Sequence, residues 1–254
     1  MSSNIWTPDA LKSSARALKG LCWRVVEPQS KISTMKLSDT LEEQSALENL
    51  IEETKPAIPE ECKHLAFLLF TPFRYAPYPF NSRFRRVGLS PGVFYGSEQP
   101  ETAVAEKAFH RLLFFLESPE TPWPSNPGEY TAIAAQFATR NAIDLTQPPW
   151  RANRDRWIHP TDYSACLDLA DGCRLAGLDV IRYESARDPA SRANLALLTC
   201  RIFTRRDVVR RQSWRLHFSK SGVRAICESP PKTIRFDQMA FARDPRIAGM
   251  SWDR

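Results

Sequence analysis

The sequence predicts a single α+β domain, and three observations predict it. Helical patterns with capping residues alternate irregularly with short β-type runs, without a regular βαβ rhythm. No internal repeat appears along the 254 residues. Apolar residues make up 43% of the chain and charged residues 25%, with seven Trp and fourteen Phe, the balance of a globular chain that can bury a sizeable core.

Residues 1–20 read as a lead-in to a domain over 21–254, with a short helical candidate from Ala10 to Leu18 and a strand-like piece from Leu21 to Val26. Ser38-Asp39 offers an N-cap to a helix from Leu41 to Glu53, whose Leu41, Ala46, Leu47, Leu50 and Ile51 form an apolar stripe. Pro59 to Phe70 opens with Pro and two Glu, which suits a helical first turn, although Leu65 to Leu69 also reads as a buried strand. A loop follows, TPFRYAPYPFNSRFRRVGLSPG, with four prolines and a run of arginines, too unusual for a mere connection. Gly92 to Tyr95 reads as a strand and Pro100 to Leu116 as a helix with Ala105, Ala108, Phe109, Leu112 and Leu116 facing the core. Strands are expected at Tyr130–Phe137 and Ala142–Leu145. A helix from Tyr163 to Ala176, capped by Thr161 or Asp162, ends at Gly177. Val180–Tyr183 and Asn194–Leu198 are the next strands. Trp214–Phe218 and Val223–Cys227 form a hairpin about Ser219-Lys220-Ser221-Gly222, and Ile234–Phe236 adds a last strand.

Several function classes drop out. There is no GxGxxG after a strand, no GxxxxGK[ST], no GxSxG and no HExxH. The six cysteines include no CxxC pair and no His at ligand spacing, so no metal is expected and the thiols read as reduced core residues. No run approaches eighteen apolar residues, so no membrane-spanning helix and no membrane partner are expected. The first thirty residues lack the apolar core and cleavage site of a signal peptide, which predicts a cytoplasmic protein. The net charge of +6 gathers at Arg83-Arg85-Arg86 and between Arg201 and Arg215. Such charge suits a polyanion, an acidic protein surface, an anionic small substrate, or merely solvent.

Four polar residues stand out within apolar patterns. Glu106, in TAVAEKAF, falls on the flank of a helix's buried stripe, where a carboxylate is partly desolvated; periodicity alone favours an ordinary boundary Glu. Arg83 can fork onto a phosphate, or lie in solvent. Tyr95 can stack on a planar ring beside Gly96, where backbone could approach a ligand, or be a core Tyr. Ser185, after a strand, can face a crevice or cap the turn before Pro189.

The stretch SRFRRVGLSPGVFYGSEQPETAVAE, with Glu106 eleven residues after Tyr95, resembles the first signature of RES domains. YSACLDLADGCRLAGLDVIRYESARDP resembles the second, a helix, Gly, strand and Tyr-x-Ser. The likeness extends over about residues 21 to 228. By this resemblance Arg83, Glu106 and Ser185 match the Arg, Glu and Ser of the family, and the domain over 21–254 carries a C-terminal β extension. Where many members have Gly-Gly-Arg followed by Phe or Trp and Asn, this chain has Ser82-Arg83-Phe84-Arg85-Arg86, so Arg83, Arg85 and Arg86 all stand as candidates to touch ligand.

The resemblance implies a split-sheet fold like that of ADP-ribosyltransferase toxins, flanked by helices. It implies cleavage of the nicotinamide–ribose bond of NAD⁺ as substrate, by phosphorolysis with inorganic phosphate or by hydrolysis, with no metal. Glu106, Arg83 and Ser185 would be catalytic, and Tyr95, Arg83, Arg86 and Ser185 would bind the dinucleotide. The chain would be a toxin paired with an Xre-like antitoxin. Two rival readings are a mono-ADP-ribosyltransferase acting on a host protein, and a nucleic-acid-binding module using the Arg201–Arg215 stretch. No known nucleic-acid motif accompanies that stretch, so direct nucleic-acid binding is not expected.

Overall fold

The computed structural model describes residues 6–27, 37–74, 79–88 and 92–253. Residues 1–5 of the expected lead-in, and 75–78 and 89–91 of the proline-rich loop, lie outside the described residues. In chain order the elements are α1 (Pro8–Ser13), β1 (Arg16–Val26), α2 (Leu41–Glu53), α3 (Phe67–Arg74), β2 (Phe94–Ser97), α4 (Pro100–Glu117), β3 (Gly128–Asp144), α5 (Arg154–Trp157), α6 (Ser164–Leu175), β4 (Val180–Glu184), β5 (Ala193–Leu197), β6 (Arg210–Ser219), β7 (Gly222–Cys227), β8 (Lys232–Phe236) and α7 (Pro245–Ala248). The fold is α+β, built on one mixed sheet in the order β1-β2-β5-β4-β3-β6-β7-β8, with β1 also bonded to β3.

The long strand β3 organises this sheet. It runs antiparallel to β1 along most of its length. On its other edge it pairs first with β6, from Gly128 to Ala134, and then, parallel, with β4 from Ala142 to Asp144. The change of partner divides the sheet into a curled part, β1-β2-β5-β4-β3, and an antiparallel extension, β6-β7-β8. The two strands expected in this region are therefore one. The polar residues Thr139 to Asn141 interrupt the apolar pattern, but their backbone stays in the strand because Leu18 of β1 pairs with Thr139.

Helix α4 lies where its pattern puts it. Pro100 stands in its first turn, where a missing N–H costs nothing, and Val104, Ala105, Ala108, Phe109 and Leu112 are fully buried against β1, β3 and the extension. Each large apolar side chain so buried stabilises the fold by about 1.5–3 kcal/mol. On the other side α6 packs Cys166, Leu169, Ala170 and Cys173 against β4 and β5, and Gly177 ends it at φ +71°.

Further expectations change. The cap of α2 is Thr40, in a reciprocal capping box with Glu43, rather than Ser38-Asp39, and no residue of α2 is buried, so its apolar stripe faces outward. The helix expected from Pro59 is a single tight turn, Glu60–Cys62, and the regular helix α3 starts later and takes in the first residues of the proline-rich loop. The helix expected from Ala10 to Leu18 is α1, Pro8–Ser13, and the strand expected from Leu21 begins at Arg16, because β3 offers partners that far. Finally, not every cysteine is reduced: Cys62 and Cys200 form a disulfide across 138 residues of sequence, brought to a Cα separation of 6.0 Å by the packing of that turn against the residues after β5. Cys22, Cys166, Cys173 and Cys227 are free and buried. Among the described residues no helix is long and apolar enough to cross a membrane.

Candidate functional site

The proline-rich loop delivers Arg83 by way of its neighbour. Ser82 and Arg85 exchange backbone hydrogen bonds of 2.9 and 3.2 Å, which makes a tight turn with Arg83 and Phe84 at its tip. Phe84 is fully buried edge-on against Tyr183, at 4.8 Å between ring centroids, and plugs the turn into the core. The Tyr95 hydroxyl accepts from the Phe84 N–H and shares a hydrogen with Ser82 Oγ, both at 2.9 Å. Burial pushes the Tyr95 phenol up, against the pull of Ser82 and Phe84. Tyr95 thus holds the arginine turn with its hydroxyl, and its ring lines the cavity below.

Arg83 is itself tied. Its Nη1 donates to the Trp157 carbonyl at 2.7 Å and its Nη2 to that of His159 at 3.0 Å, and its guanidinium lies over the Tyr163 ring at 4.6 Å. Two of its five N–H groups are spoken for and the plane of the fork is fixed. Arg86, expected at the ligand, is elsewhere: it donates to Asp168 and Asp171 on α6 and does not line the cavity. The carboxylates on the exposed face of α6 capture it. Gly96 lines the cavity beside Tyr95, and a Cβ there would lie 2.6 Å from the Trp23 carbonyl oxygen. The absence of a Cβ also permits the close approach of β2 to β1.

Glu106 and Ser185 meet, although 79 residues separate them. Ser185 Oγ donates to Glu106 Oε1 at 2.6 Å, and Asn194 Nδ2 donates to the same oxygen at 2.6 Å. Asn194 is oriented in turn by Ser97 Oγ, which donates to its Oδ1 at 2.6 Å. Glu106 Oε2 has no hydrogen-bond partner among the described residues. Ser185 Oγ also accepts from the backbone N–H of Arg187 and Asp188, at 3.1 and 2.9 Å. Its hydroxyl is therefore occupied on every side, and at 1% exposure it stands behind Glu106 rather than in the cavity. The turn-capping reading of Ser185 is what the backbone bonds show, whereas the expectation that it faces the crevice is not met: its hydroxyl reaches the cavity only through Glu106.

These groups surround one cavity of about 470 Å³, within the range of small-ligand pockets. Arg83, Tyr95 and Glu106 line it together with Trp23, Tyr163 and Tyr183, aromatic surfaces that suit flat rings. Its polar lining is cationic, with Arg24, Lys107, Arg187 and Arg246. His110, one turn beyond Glu106, also lines it. Loss of solvent makes His110 harder to protonate, Glu106 opposes this, and Arg187, Lys107 and Arg246 reinforce it. Sequence reasoning did not single out Asn194, Arg187, Tyr163 or His110. Only Asn194 gave a local hint, a polar side chain opening a fully buried strand. A depression of similar size, about 500 Å³, lies on β6-β7-β8 around His217 and Arg224, and includes none of the four singled-out residues. No group of His, Cys, Asp and Glu among the described residues could hold a metal ion.

No curated protein sequence matches the chain. Its structure is similar to a chain in the crystal structure of the M. tuberculosis MbcT–MbcA toxin–antitoxin complex, at 13% identity and a TM-score of 0.48, over 85% of this chain and 93% of that one. The RES domain model matches residues 58–219, a span that carries the arginine turn, Tyr95, Glu106 and Ser185, and on that match the chain belongs to the RES domain family.

Proposed function

We propose that this chain cleaves the nicotinamide–ribose bond of NAD⁺ and passes the ADP-ribosyl group to phosphate or water. One observation carries the reading. A carboxylate with one oxygen clamped by Ser185 and Asn194, and the other unpartnered among the described residues, lines the same cavity as a fixed arginine fork and four aromatic rings. Departure of nicotinamide leaves positive charge at the ribose anomeric carbon, and a carboxylate beside that carbon stabilises the oxocarbenium-like transition state. A clamped carboxylate needs no reorientation as the charge develops. Glu106 does this work, Arg83 faces the phosphates with its remaining N–H groups, and Tyr95 offers its ring to the nicotinamide or ribose. Ser185 acts through Glu106 and holds it in place. The aromatic lining excludes water from the leaving group.

The family resemblance supports a biological role as the toxin of a pair, silenced by an Xre-like antitoxin, with depletion of NAD⁺ as its effect. A protein side chain as acceptor would make the chain a mono-ADP-ribosyltransferase, and the same site would serve. One experiment tests the reaction and the acceptor together. Purified protein is incubated with NAD⁺ with and without inorganic phosphate, and the products are identified by mass. Free nicotinamide with a phosphorylated or free ADP-ribose is the expected result. Label transferred onto protein assigns the transferase activity instead, and NAD⁺ left intact under both conditions overturns the proposal.

A further inference from the structure

We infer that the segment after β8 completes the site: Asp244 is a positioning residue that holds Arg187 and Arg246 as an anion-gripping arc for the pyrophosphate of the ligand. This inference rests on the dinucleotide reading above. The arc can be followed atom by atom. Arg83 lies over the Tyr163 ring at 4.6 Å, and the Tyr163 hydroxyl is 3.4 Å from Arg187 Nη2. Arg187 Nη1 meets Asp244 Oδ2 at 3.0 Å. The same carboxylate takes a fork from Arg246, whose Nε donates to Oδ1 at 2.9 Å and whose Nη2 donates to Oδ2 at 2.8 Å. Phe109 of α4 supports both guanidiniums, Arg187 at 4.1 Å from its ring centroid and Arg246 at 5.8 Å. Arg83, Tyr163, Arg187 and Arg246 all line the cavity that holds Glu106.

The charges explain the need for an anion. Arg187 is 6% exposed and Asp244 1%. One buried carboxylate serves two guanidiniums, the adjoining Arg83 is held by two carbonyls and the Tyr163 ring, and Glu106 is the one acidic residue among those described that line a cavity with four arginines and a lysine. Gathering cations in a partly dry cavity is unfavourable unless an anion arrives to meet them. A pyrophosphate spans two guanidiniums and accepts the bidentate hydrogen bonds they offer. Arg246 is suited to reach it: its Nη1 has no partner among the described residues, and its side chain keeps 40% exposure. Asp244 and Arg246 lie beyond residue 219, where the RES match ends, so the matched span alone lacks half of the arc.

The full-length protein tests this through Arg246→Ala, Arg246→Lys and Asp244→Asn. ADP-ribose binding is measured by calorimetry, and turnover of NAD⁺ is compared with that of nicotinamide riboside, which has no pyrophosphate. For Arg246→Ala, ADP-ribose affinity is expected to fall about 10- to 100-fold and KM for NAD⁺ to rise in step, with kcat within about threefold of the parent. Arg246→Lys recovers part of the loss, and nicotinamide riboside does not distinguish the variant from the parent. Unchanged ADP-ribose binding in Arg246→Ala overturns the arc, as does an equal loss on both substrates, which marks a structural role only. Asp244→Asn is expected to repeat the KM effect. If it fails to fold, the half-exposed Arg246 still decides the matter. A parent protein that binds ADP-ribose through Arg246 but leaves NAD⁺ intact retains the arc and removes the proposed reaction. A parent that consumes NAD⁺ without regard to Arg246 does the reverse.

Discussion

Two arginine-rich regions of this chain differ in how their charges are held. In the cavity, Arg83 is pinned by two carbonyls and a tyrosine ring, and Arg187 by a carboxylate, a carbonyl and a phenylalanine face. Between Arg201 and Arg215, which hold six arginines in fifteen residues, the arginine side chains and their ion pairs are exposed: Arg211 is 3.9 Å from Asp207, and Arg215 reaches Glu228 with both partners more than half exposed. Exposed pairs of this kind contribute about 0–1 kcal/mol. Density of charge along the chain therefore does not mark the site. A guanidinium fixed before its ligand arrives loses little freedom on binding, whereas a free one must be ordered. The aromatic residues of the second region, Phe203 and Trp214, are both buried and offer no exposed face for base stacking, so nothing there adds weight to a nucleic-acid partner.

This contrast can be broken or sharpened by measurement. The largest effect is expected from Glu106→Gln, which keeps the shape of the clamped side chain and removes its charge. Turnover should fall by about 10²–10⁴-fold with NAD⁺ binding nearly kept. Near-parental rates in a steady-state assay would take Glu106 out of the chemistry. Ser185→Ala comes next. It releases one clamp on Glu106 and leaves the Arg187 and Asp188 N–H groups without their acceptor, for a loss of about 1–3 kcal/mol in urea unfolding together with a lower kcat. A stability loss with kcat intact would reduce Ser185 to its turn role. Arg83→Lys cannot reproduce the two-carbonyl fork, and should weaken ADP-ribose binding about tenfold by calorimetry.

Acid is a milder probe of the same tethering. Burial alone would raise Asp188 and Asp244. For Asp188 the hydrogen bonds from Arg192, Thr102 and the Ala190 N–H outweigh it, and for Asp244 those from Arg246 and the charge of Arg187 do, so both hold protons less readily than usual. The stability they add is complete above the ordinary aspartate value of 3.8 and is lost as pH falls through their lower folded values. Asp188→Asn should therefore be less stable than the parent at neutral pH, with the gap narrowing below pH 3.8 when unfolding is followed by circular dichroism. A gap that stays constant with pH would assign the effect to packing. The smallest effect is expected from Arg211→Glu with Arg215→Glu: stability within about 0.5 kcal/mol of the parent and unchanged NAD⁺ turnover. A marked fall in turnover would show that the exposed region does take part.

What was legible in the sequence was local. Helix α4 and the Gly177 stop of α6 could be read because caps and period lie within a few neighbouring residues. Helix α2 has legible ends, but its cap is shifted to Thr40 and its stripe stays uncovered, since an apolar stripe names a face and not what covers it. Arg83, Tyr95 and Glu106 could be chosen, yet nothing in the sequence joined Glu106 to Asn194, 88 residues away, or Cys62 to Cys200. Arg86 was misplaced because its captors, Asp168 and Asp171, lie on a helix whose docking no local pattern specifies. The four-residue α7, too short for a periodic signal, went unread although Arg246 lines the cavity.

The threefold use of the Ser185 hydroxyl restricts what that position can become. An aspartate would bring a second negative group against Glu106, and an alanine would strand two amide hydrogens. A cysteine is too weak a partner for either duty. Threonine keeps the oxygen but must lodge a methyl group at a place almost closed to solvent. Shape of the backbone and readiness for chemistry thus descend from a single oxygen atom, and drift at this codon cannot relax one without forfeiting the other.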